Sequence, residues 1–219
     1  MMVTRTRRLV LAASVAALGV GAAAQQRAPV RTFDALPAGS TPADFTFVAS
    51  RQPGPGIWRV AQRPGETYLM HAADAAATGY ALALTPDAPR QDVAVTTRIT
   101  LAGGARAGGL VWRYQDPNNY YATILDLATG VITMQRIVEG NRVTLERRGD
   151  LELDSSAWHT LKVVHDGGSV YVSLGGIRVI NERDRRLDRF GPGRAGLIAT
   201  GDSEVWFDDF RLERPRDRR

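Results

Sequence analysis

The sequence of 219 residues contains no cysteine. A chain without cysteine has no disulfide framework, no thiolate nucleophile, no thiolate-bound metal and no lipid-modified cysteine. Such a domain must be held together by its apolar core, and a chain of about 195 residues is long enough to build one. About 195 residues remain when a predicted leader over residues 1–24 is set aside, and this length favours one domain over two.

Long apolar runs are also scarce, and the only pronounced one lies at the start. Arg5, Arg7 and Arg8 precede an uncharged stretch over residues 9–23, and Ala22-Ala23-Ala24 comes directly before Gln25. A basic start, a short apolar stretch and a small-residue cleavage site are typical of a secretory signal peptide. The run is shorter than the roughly 20 residues of a membrane-spanning helix. We therefore expect residues 1–24 to be a signal peptide and the protein to be exported, either periplasmic or secreted.

The export route stays open at this point. Residues 6–11, Thr-Arg-Arg-Leu-Val-Leu, are similar to a twin-arginine signal, although ordinary signals also carry arginine pairs.

An excess of positive charge is small once the leader is set aside. The whole chain has a net charge of +5, and removal of the three leader arginines lowers it to +2. Residues 214–219 hold several of the remaining arginines, and we expect them to form a disordered basic tail. Nucleic-acid binding usually shows as a basic face interleaved with aromatic residues. No such pattern is present, so we expect no nucleic-acid partner. No segment after the leader is long and apolar enough to span a bilayer, so we also expect no transmembrane segment in the mature chain.

Helical periodicity is absent from residue 30 onward, and alternation of apolar and polar residues replaces it. The clearest case is a set of residues on one face of residues 91–101, namely Val93, Val95, Thr97, Ile99 and Leu101. Alternation of period two predicts half-buried strands. It recurs at 80–85, 109–114, 120–127, 131–138, 143–147, 158–165, 170–174, 177–181, 196–200 and 204–212. Residues 31–65, rich in proline and glycine, are predicted to form irregular loops around short strands.

Glycine and asparagine separate many of these strands. Residues 139–142, 166–169 and 174–177 each place Gly or Asn where a tight hairpin needs a positive φ. Many short strands joined by hairpins predict an all-β protein, specifically a two-sheet antiparallel sandwich. We assign residues 25–213 to one such domain.

Four segments follow one another in an order that resembles a known group of proteins. They read AGGLVWRYQDPNNYYATILDL, VEGNRVTL, WHTLKVVHDGGSVYVSLGGIRVINERD and RAGLIATGDSEVWFDDFRL. Together they resemble the concanavalin A-like lectin/glucanase sandwiches, in particular the laminin G-like group and the bacterial 3-keto-disaccharide hydrolase-like domains. The resemblance implies a jelly roll with a concave face on which sugars often lie. Because this fold hosts lectins, glucanases, hydrolases and adhesion modules, it leaves the function open.

A strand-turn-strand over residues 113–121 concentrates a guanidinium, a carboxylate, amides and phenols. Sugars are held by planar hydrogen-bonding groups beside an aromatic ring, so these are suitable residue types. The alternative is a structural hairpin in which Arg113 pairs with Asp116 and asparagine side chains cap the turn. Trp58, within the Gly-Pro-rich stretch PGPGIWRV, is predicted to be an exposed stacking platform. The predicted ligand-binding residues are Arg113, Asp116, Asn119, Tyr120, Tyr121, Gln135, Arg136 and Trp58.

Carboxylates offer a second interpretation, that of an enzyme. Glucanases of the resembling group carry Glu-x-Asp-x-Glu on one strand, and the comparable run here is Asp150, Glu152 and Asp154. Its outer members are Asp instead of Glu, and a solvated edge strand guarded by charge explains the run more simply. No Gly-x-Ser-x-Gly elbow is present. We assign no catalytic residue.

No cofactor is evident from the sequence, although a structural calcium ion is conceivable. Hard cations bind clustered oxygen ligands, which Asp202, Glu204, Asp208 and Asp209 could supply. Alternation along a strand places Asp208 and Asp209 on opposite faces, which argues against a shared ion.

The sequence therefore favours an exported β-sandwich that binds a glycan or glycoconjugate without catalysis. The alternatives are a glycoside hydrolase of the 3-keto-disaccharide hydrolase type and a structural or adhesive envelope module that binds protein. An enzyme needs two converging carboxyls with perturbed pKa values. A lectin-like module needs aromatic and amide groups on an open face, and an adhesion module needs a large exposed apolar patch.

Overall fold

The computed structural model describes residues 28–50, 56–76, 78–101, 107–154, 156–183 and 189–215. The predicted signal peptide and most of the predicted tail lie outside these ranges. Within them every regular element is a β-strand. A search of the same residues for helices of the length and apolar character that a membrane crossing requires finds none.

Fourteen strands lie within the described ranges. In chain order they are β1 (Thr46–Ala49), β2 (Ile57–Arg63), β3 (Glu66–Ala72), β4 (Tyr80–Leu84), β5 (Val93–Leu101), β6 (Ala107–Asp116), β7 (Asn119–Asp126), β8 (Val131–Val138), β9 (Asn141–Arg148), β10 (His159–Asp166), β11 (Ser169–Leu174), β12 (Ile177–Arg183), β13 (Arg194–Thr200) and β14 (Val205–Glu213).

The strands form two antiparallel sheets of seven strands each. Sheet I has the order β1-β4-β13-β6-β7-β8-β9, and sheet II has the order β12-β11-β10-β5-β14-β3-β2. Hairpins join β6 to β7, β7 to β8 and β8 to β9 in sheet I, and β10 to β11 and β11 to β12 in sheet II. The predicted two-sheet antiparallel sandwich is confirmed.

The main core fills the space between the sheets. Sheet I contributes large side chains such as Trp112 and Tyr121, and sheet II contributes Leu69, Ile99 and Phe207, all inaccessible to solvent. Alternation along each strand directs every second side chain into this layer. Because the domain has no disulfide, burial of this layer is the main source of its stability.

The segment 31–65, predicted to form irregular loops around short strands, contains a regular strand of seven residues. Residues 57–63 form β2, which pairs along its whole length with β3. The alternation of Trp58 and Val60, both buried, with exposed Ile57 and Arg59 is that of a half-buried edge strand. The many glycines and prolines around this strand hid its bounds from the sequence prediction.

Sheet I also buries the face that points away from sheet II. Side chains of β4, β6, β7, β8 and β13 form a second apolar cluster there, which consists of Tyr80, Leu82, Leu84, Val111, Tyr114, Tyr120, Ala122, Ile124, Ile137 and Ile198. In a flat sheet β4 and β8 would be about 19 Å apart, four strand spacings. Gln135 of β8 nevertheless donates a hydrogen bond from Nε2 to the hydroxyl of Tyr80 at 2.8 Å. Sheet I is therefore strongly curved, and we call this side its concave face.

A glycine on the concave face permits close packing of the central strands. Gly196 of β13 is buried between Leu84 of β4 and Val111 of β6. A Cβ atom at this position would collide with the carbonyl oxygen of Ala83 and lie 2.9 Å from the Cα of Leu84. Both contacts are with backbone, which cannot rotate away.

We expect Gly196→Ala to lower the free energy of unfolding by about 1–3 kcal/mol, because an overpacked core must shift its backbone. Gly191→Ala is the matched control, since nothing lies within 4 Å of a Cβ there. Urea unfolding monitored by tryptophan fluorescence measures both. Equal midpoints for the two variants would contradict the close packing of β4 and β13.

Candidate functional site

A cavity of about 350 Å³ opens on the concave face. It lies where the start of β4 meets the β6–β7 and β8–β9 hairpins. Its volume is at the lower end of the range of small-ligand sites, roughly 300–1,000 Å³. The lining residues are Ser50, Thr78, Gly79, Tyr80, Pro117, Tyr120, Ile137, Gly140 and Arg142.

Tyr80 forms one wall of the cavity and is held on three sides. Gln135 donates to the hydroxyl of Tyr80. The backbone N–H of Tyr80 donates to Oγ of Ser50 at 2.9 Å. The guanidinium of Arg142 lies 4.7 Å from the centre of its ring. The contact joins β4 to β9, which the order of sheet I places at opposite sides. The ring is thus fixed before any ligand arrives.

Tyr120 forms the inner end of the cavity. Its side chain is fully buried, and its ring centre lies 5.9 Å from that of Tyr114. Burial raises the pKa of the Tyr120 phenol far above its ordinary value, so the group stays protonated at any physiological pH. The cavity therefore offers neutral hydroxyls, peptide groups, an apolar surface and one guanidinium, which together suit a polyhydroxylated ligand.

The β6–β7 turn shapes the rim of the cavity. Oδ1 of Asp116 accepts a hydrogen bond from the N–H of Asn118 at 2.7 Å, and Nδ2 of Asn119 donates to both oxygens of the same carboxylate. Oδ1 of Asn119 accepts from the N–H of Glu139, which ties this turn to the β8–β9 hairpin. The Asp116 carboxylate, and not the asparagine side chains that we expected, caps the backbone of this turn.

Arg113 does not take the structural role that the hairpin interpretation gave it. It sits at a bulge of β6 with a φ of 47°, and its side chain is completely buried. Nε donates to the carbonyl of Gln91 at 2.6 Å, and Nη2 lies 3.5 Å from Oδ1 of Asp92. The predicted pairing of Arg113 with Asp116 is wrong, because the bulge rotates the guanidinium away from the turn and towards the 90–92 loop.

Trp58 is not an exposed platform. Its side chain is 4% exposed and lies in the main core, with ring centres 5.0 Å from His71 and 5.9 Å from both Phe47 and Phe207. That prediction is wrong because Trp58 occupies an inward position of β2, a strand whose bounds the sequence prediction did not fix. Large aromatic residues gain most when they are fully removed from water.

Tyr121 and Arg136 face the space between the sheets. Tyr121 is fully buried and stacks on Trp112 with ring centres 5.8 Å apart. Arg136 lies opposite Tyr121 in the β7–β8 register. The two neighbours Tyr120 and Gln135 alternate with them and point to the concave face.

The structure thus brings only part of the predicted set together. Tyr120 lines the cavity, Gln135 supports its wall, and Asp116 and Asn119 organise its rim. Sequence reasoning missed Tyr80 and Arg142, which complete the cavity. Arg142 lies just after a recognised hairpin turn, but no local signal indicates that β4 and β9 approach one another.

The acidic run over residues 150–154 has no regular strand structure. Asp150 has a φ of 57°, and Leu151 and Leu153 pack against the main core. Oδ1 of Asp154 caps the turn at Ser156 through the N–H of that residue. The predicted edge strand is therefore wrong, and these carboxylates do not share a strand face.

The outer face of sheet II carries an aromatic cluster whose indole N–H groups donate to neighbouring carboxylates. Tyr68 stacks on Trp206 with ring centres 4.5 Å apart, and Trp158 packs edge-on against Tyr68. The indole N–H of Trp158 donates to Glu66, and that of Trp206 donates to Glu204. Because both indole donors are already satisfied within the cluster, the cluster offers a ligand fewer hydrogen-bonding groups than the concave cavity does.

Asp208 lies beside this cluster with Arg98. The Asp208 carboxylate is 3.6 Å from the guanidinium of Arg98, and Asp209 is 3.7 Å from it. Burial raises the pKa of Asp208 to about 6. The other acidic residues considered for calcium point elsewhere, since Asp202 accepts from Ser203 and Glu204 from Trp206. Within the described ranges, no three His, Cys, Asp or Glu side chains gather as metal ligands would.

Comparison with known proteins finds solved structures with the same sandwich fold. The chain is similar to the carbohydrate-binding module CBM66 from Bacillus subtilis, with 20% identity over 76% of this chain and 94% of that chain and a TM-score of 0.60. It is similar to a galectin-like protein of unknown function from Bacillus subtilis, with 14% identity over 78% of this chain and 89% of that chain and a TM-score of 0.57.

A third similar structure is a much longer protein. It is the xylan β-1,4-xylosidase from Bacillus halodurans C-125, with 15% identity over 86% of this chain but 40% of that chain and a TM-score of 0.60. No protein-family model and no curated protein matches the sequence. At these identities the comparisons establish the fold. The resemblance to concanavalin A-like sandwiches is confirmed at that level.

We expect Asp208→Asn to stabilise the protein above pH 6. The folded state binds the Asp208 proton more tightly than the unfolded chain, whose pKa lies near 3.8. The stability that the protonated group contributes is complete below about pH 4 and is lost as the pH rises through about 6. The substitution should therefore raise the free energy of unfolding by up to about 3 kcal/mol at pH 7.5 and leave it unchanged near pH 4.

Urea unfolding at several pH values measures this difference. Asp209→Asn is the control, because it removes the neighbouring charge from the same guanidinium and tolerates the left-handed backbone of that position. A gain from Asp208→Asn that is equal at both pH values would contradict the role of the buried carboxylate.

Proposed function

We propose that this chain is an exported, non-catalytic module that binds a glycan or glycoconjugate in the cavity of the concave face. The observation that carries the proposal is the composition of that cavity. Hydroxyls of Ser50, Thr78 and Tyr80 line it together with the apolar side chains of Pro117 and Ile137. A sugar presents the same combination, with hydroxyls at its edge and C–H groups on its faces.

Solved proteins of the same fold support this proposal. One is a carbohydrate-binding module that matches most of this chain and nearly all of its own length. The fold alone does not fix a function, so the argument depends on the cavity. The predicted signal peptide adds that such a module would meet glycans outside the cytoplasm.

The size of the cavity indicates how a glycan would be held. A volume of about 350 Å³ is small for an extended oligosaccharide. It suits one or two sugar units, with the remainder of the chain in solvent. The module would therefore recognise a glycan end or a side branch.

The absence of catalysis is inferred from the lining as well. Glycoside hydrolysis uses two carboxyl groups, about 5–10 Å apart, on either side of the scissile bond. Among the described residues that line the cavity there is no Asp or Glu. The described lining therefore has groups that can bind a glycan but no general acid that could cleave it.

A glycoside hydrolase remains the second candidate, favoured by one observation. The Asp208 carboxyl, with a pKa of about 6, lies near the range of a general acid, and Asp209 is its neighbour. These groups lie on the outer face of sheet II, away from the concave cavity. The adhesive alternative has less support, because the exposed large apolar residues Ile57, Val143 and Ile177 lie on three different strands.

Native mass spectrometry of the mature protein with a panel of oligosaccharides and 3-keto-glycosides tests the proposal. We expect retained complexes and no cleaved products. Thr78→Trp should abolish these complexes, because a bulky side chain at this exposed cavity residue would occupy the opening. Thr160→Trp, at an exposed position of sheet II, is the matched control and should bind normally.

Turnover that Asp208→Asn abolishes would replace the binding proposal with the hydrolase. Complexes that survive Thr78→Trp would show that the glycan binds elsewhere.

A further inference from the structure

We infer that the glycan bound in the concave cavity is anionic, carrying a carboxylate or a sulfate ester that Arg142 binds. The inference rests on the proposed function and specifies its ligand class. It follows from the charges around the cavity, from the way in which Arg142 is held, and from what a guanidinium recognises.

The cavity has an unbalanced charge. Arg142 is the one ionised side chain among the described residues that line it. Asp116 lies at the rim, but both of its oxygens accept hydrogen bonds from the turn that it caps. Within the described part of the chain, no carboxylate lies within 4 Å of the guanidinium of Arg142. A complementary charge would therefore have to come from a ligand.

Four other arginines of the described structure are placed differently. Arg31, Arg63, Arg98 and Arg113 each contact an Asp or Glu side chain. These contacts account for their charges within the fold. Arg142 is exposed, it lines a cavity, and its described neighbour there is an aromatic ring.

Stacking on Tyr80 orients the guanidinium. The Arg142 Cζ atom lies 4.7 Å from the ring centre, at a distance typical of cation–π contact. A guanidinium that lies over a ring keeps its N–H groups at its edge, where they can donate in pairs to a planar oxyanion. The ring itself is fixed by the hydrogen bond from Gln135. The donor is thus oriented before binding, which lowers the entropic cost of the interaction.

The expected preference follows from the strength of such contacts. A hydrogen bond to a charged group contributes about 1.5–3 kcal/mol, which corresponds to roughly 10- to 100-fold in affinity. Because Arg142 is exposed, salt should screen the contact, and the preference should shrink as the ionic strength rises.

Calorimetric titration with paired sugars tests the inference. The pairs are an oligogalacturonide with a galacto-oligosaccharide, a glucuronate-substituted with a plain xylo-oligosaccharide, and a sulfated with an unsulfated galactan oligomer. We expect an acidic member to bind at least 10-fold more tightly than its neutral partner. The carboxylate and sulfate pairs distinguish the two sources of the anion.

Arg142→Gln should abolish this preference while leaving the weaker neutral binding in place. Arg142→Lys should keep only part of it, because an ammonium lacks the paired donors. Arg147→Gln is the matched control. Arg147 is an exposed residue of the same strand and, because of a bulge in β9, of the same face. Its partner in β8 lies four residues from that of Arg142, about 14 Å along the sheet. Melting temperatures of the variants show whether each is folded.

Equal affinity for both members of every pair would overturn the inference and leave the proposed function standing. So would a preference that survives in folded Arg142→Gln. If the wild-type protein binds no sugar of either kind, the proposed function fails, and the inference fails with it.

Discussion

The hydrogen bond from Gln135 to Tyr80 spans a sheet in which three other strands separate its two partners. It can form only because sheet I curls until β4 and β8 approach each other. The same curvature buries a second apolar cluster outside the main core and brings Arg142 over the Tyr80 ring. The cavity, its charge and the proposed ligand class all depend on this bend.

The two large surfaces of the sandwich differ in how their polar groups are paired. On the outer face of sheet II, arginines, indoles and carboxylates contact one another, and the indole N–H groups of the aromatic cluster are satisfied. On the concave face the buried amide and phenol pair with each other, and the guanidinium at the opening faces a ring instead of an acid. The proposed ligand site therefore differs from the structural cluster in its guanidinium, which no carboxylate of the described residues neutralises.

A buried side chain with suitable chemistry is a common source of error in predicting sites from sequence. Arg113, Tyr121 and Trp58 are residue types that sugars prefer, yet each is almost completely buried. Their hydrogen-bonding and stacking capacity is used within the fold. Arg113 ties the loop at 90–92 to β6, while Trp58 and Tyr121 fill the core.

The sequence by itself determined the fold class, most of the strands and the hairpin turns. These are local properties, because alternation of apolar residues reflects the pleat of each strand and glycine or asparagine permits the positive φ of each turn. It also identified one strand-turn-strand that reaches the cavity, with Tyr120 on the concave face.

Only the tertiary structure decided which side chains meet. The bulge at Arg113 breaks the alternation of β6, so that Val111 and Tyr114, three residues apart, share the concave face. Trp58 is buried because β2 pairs with β3 at the edge of sheet II. Arg142 reaches Tyr80 because of sheet curvature. Bulges, edge pairing and curvature arise from contacts between strands that are distant in the chain, and no local pattern encodes them.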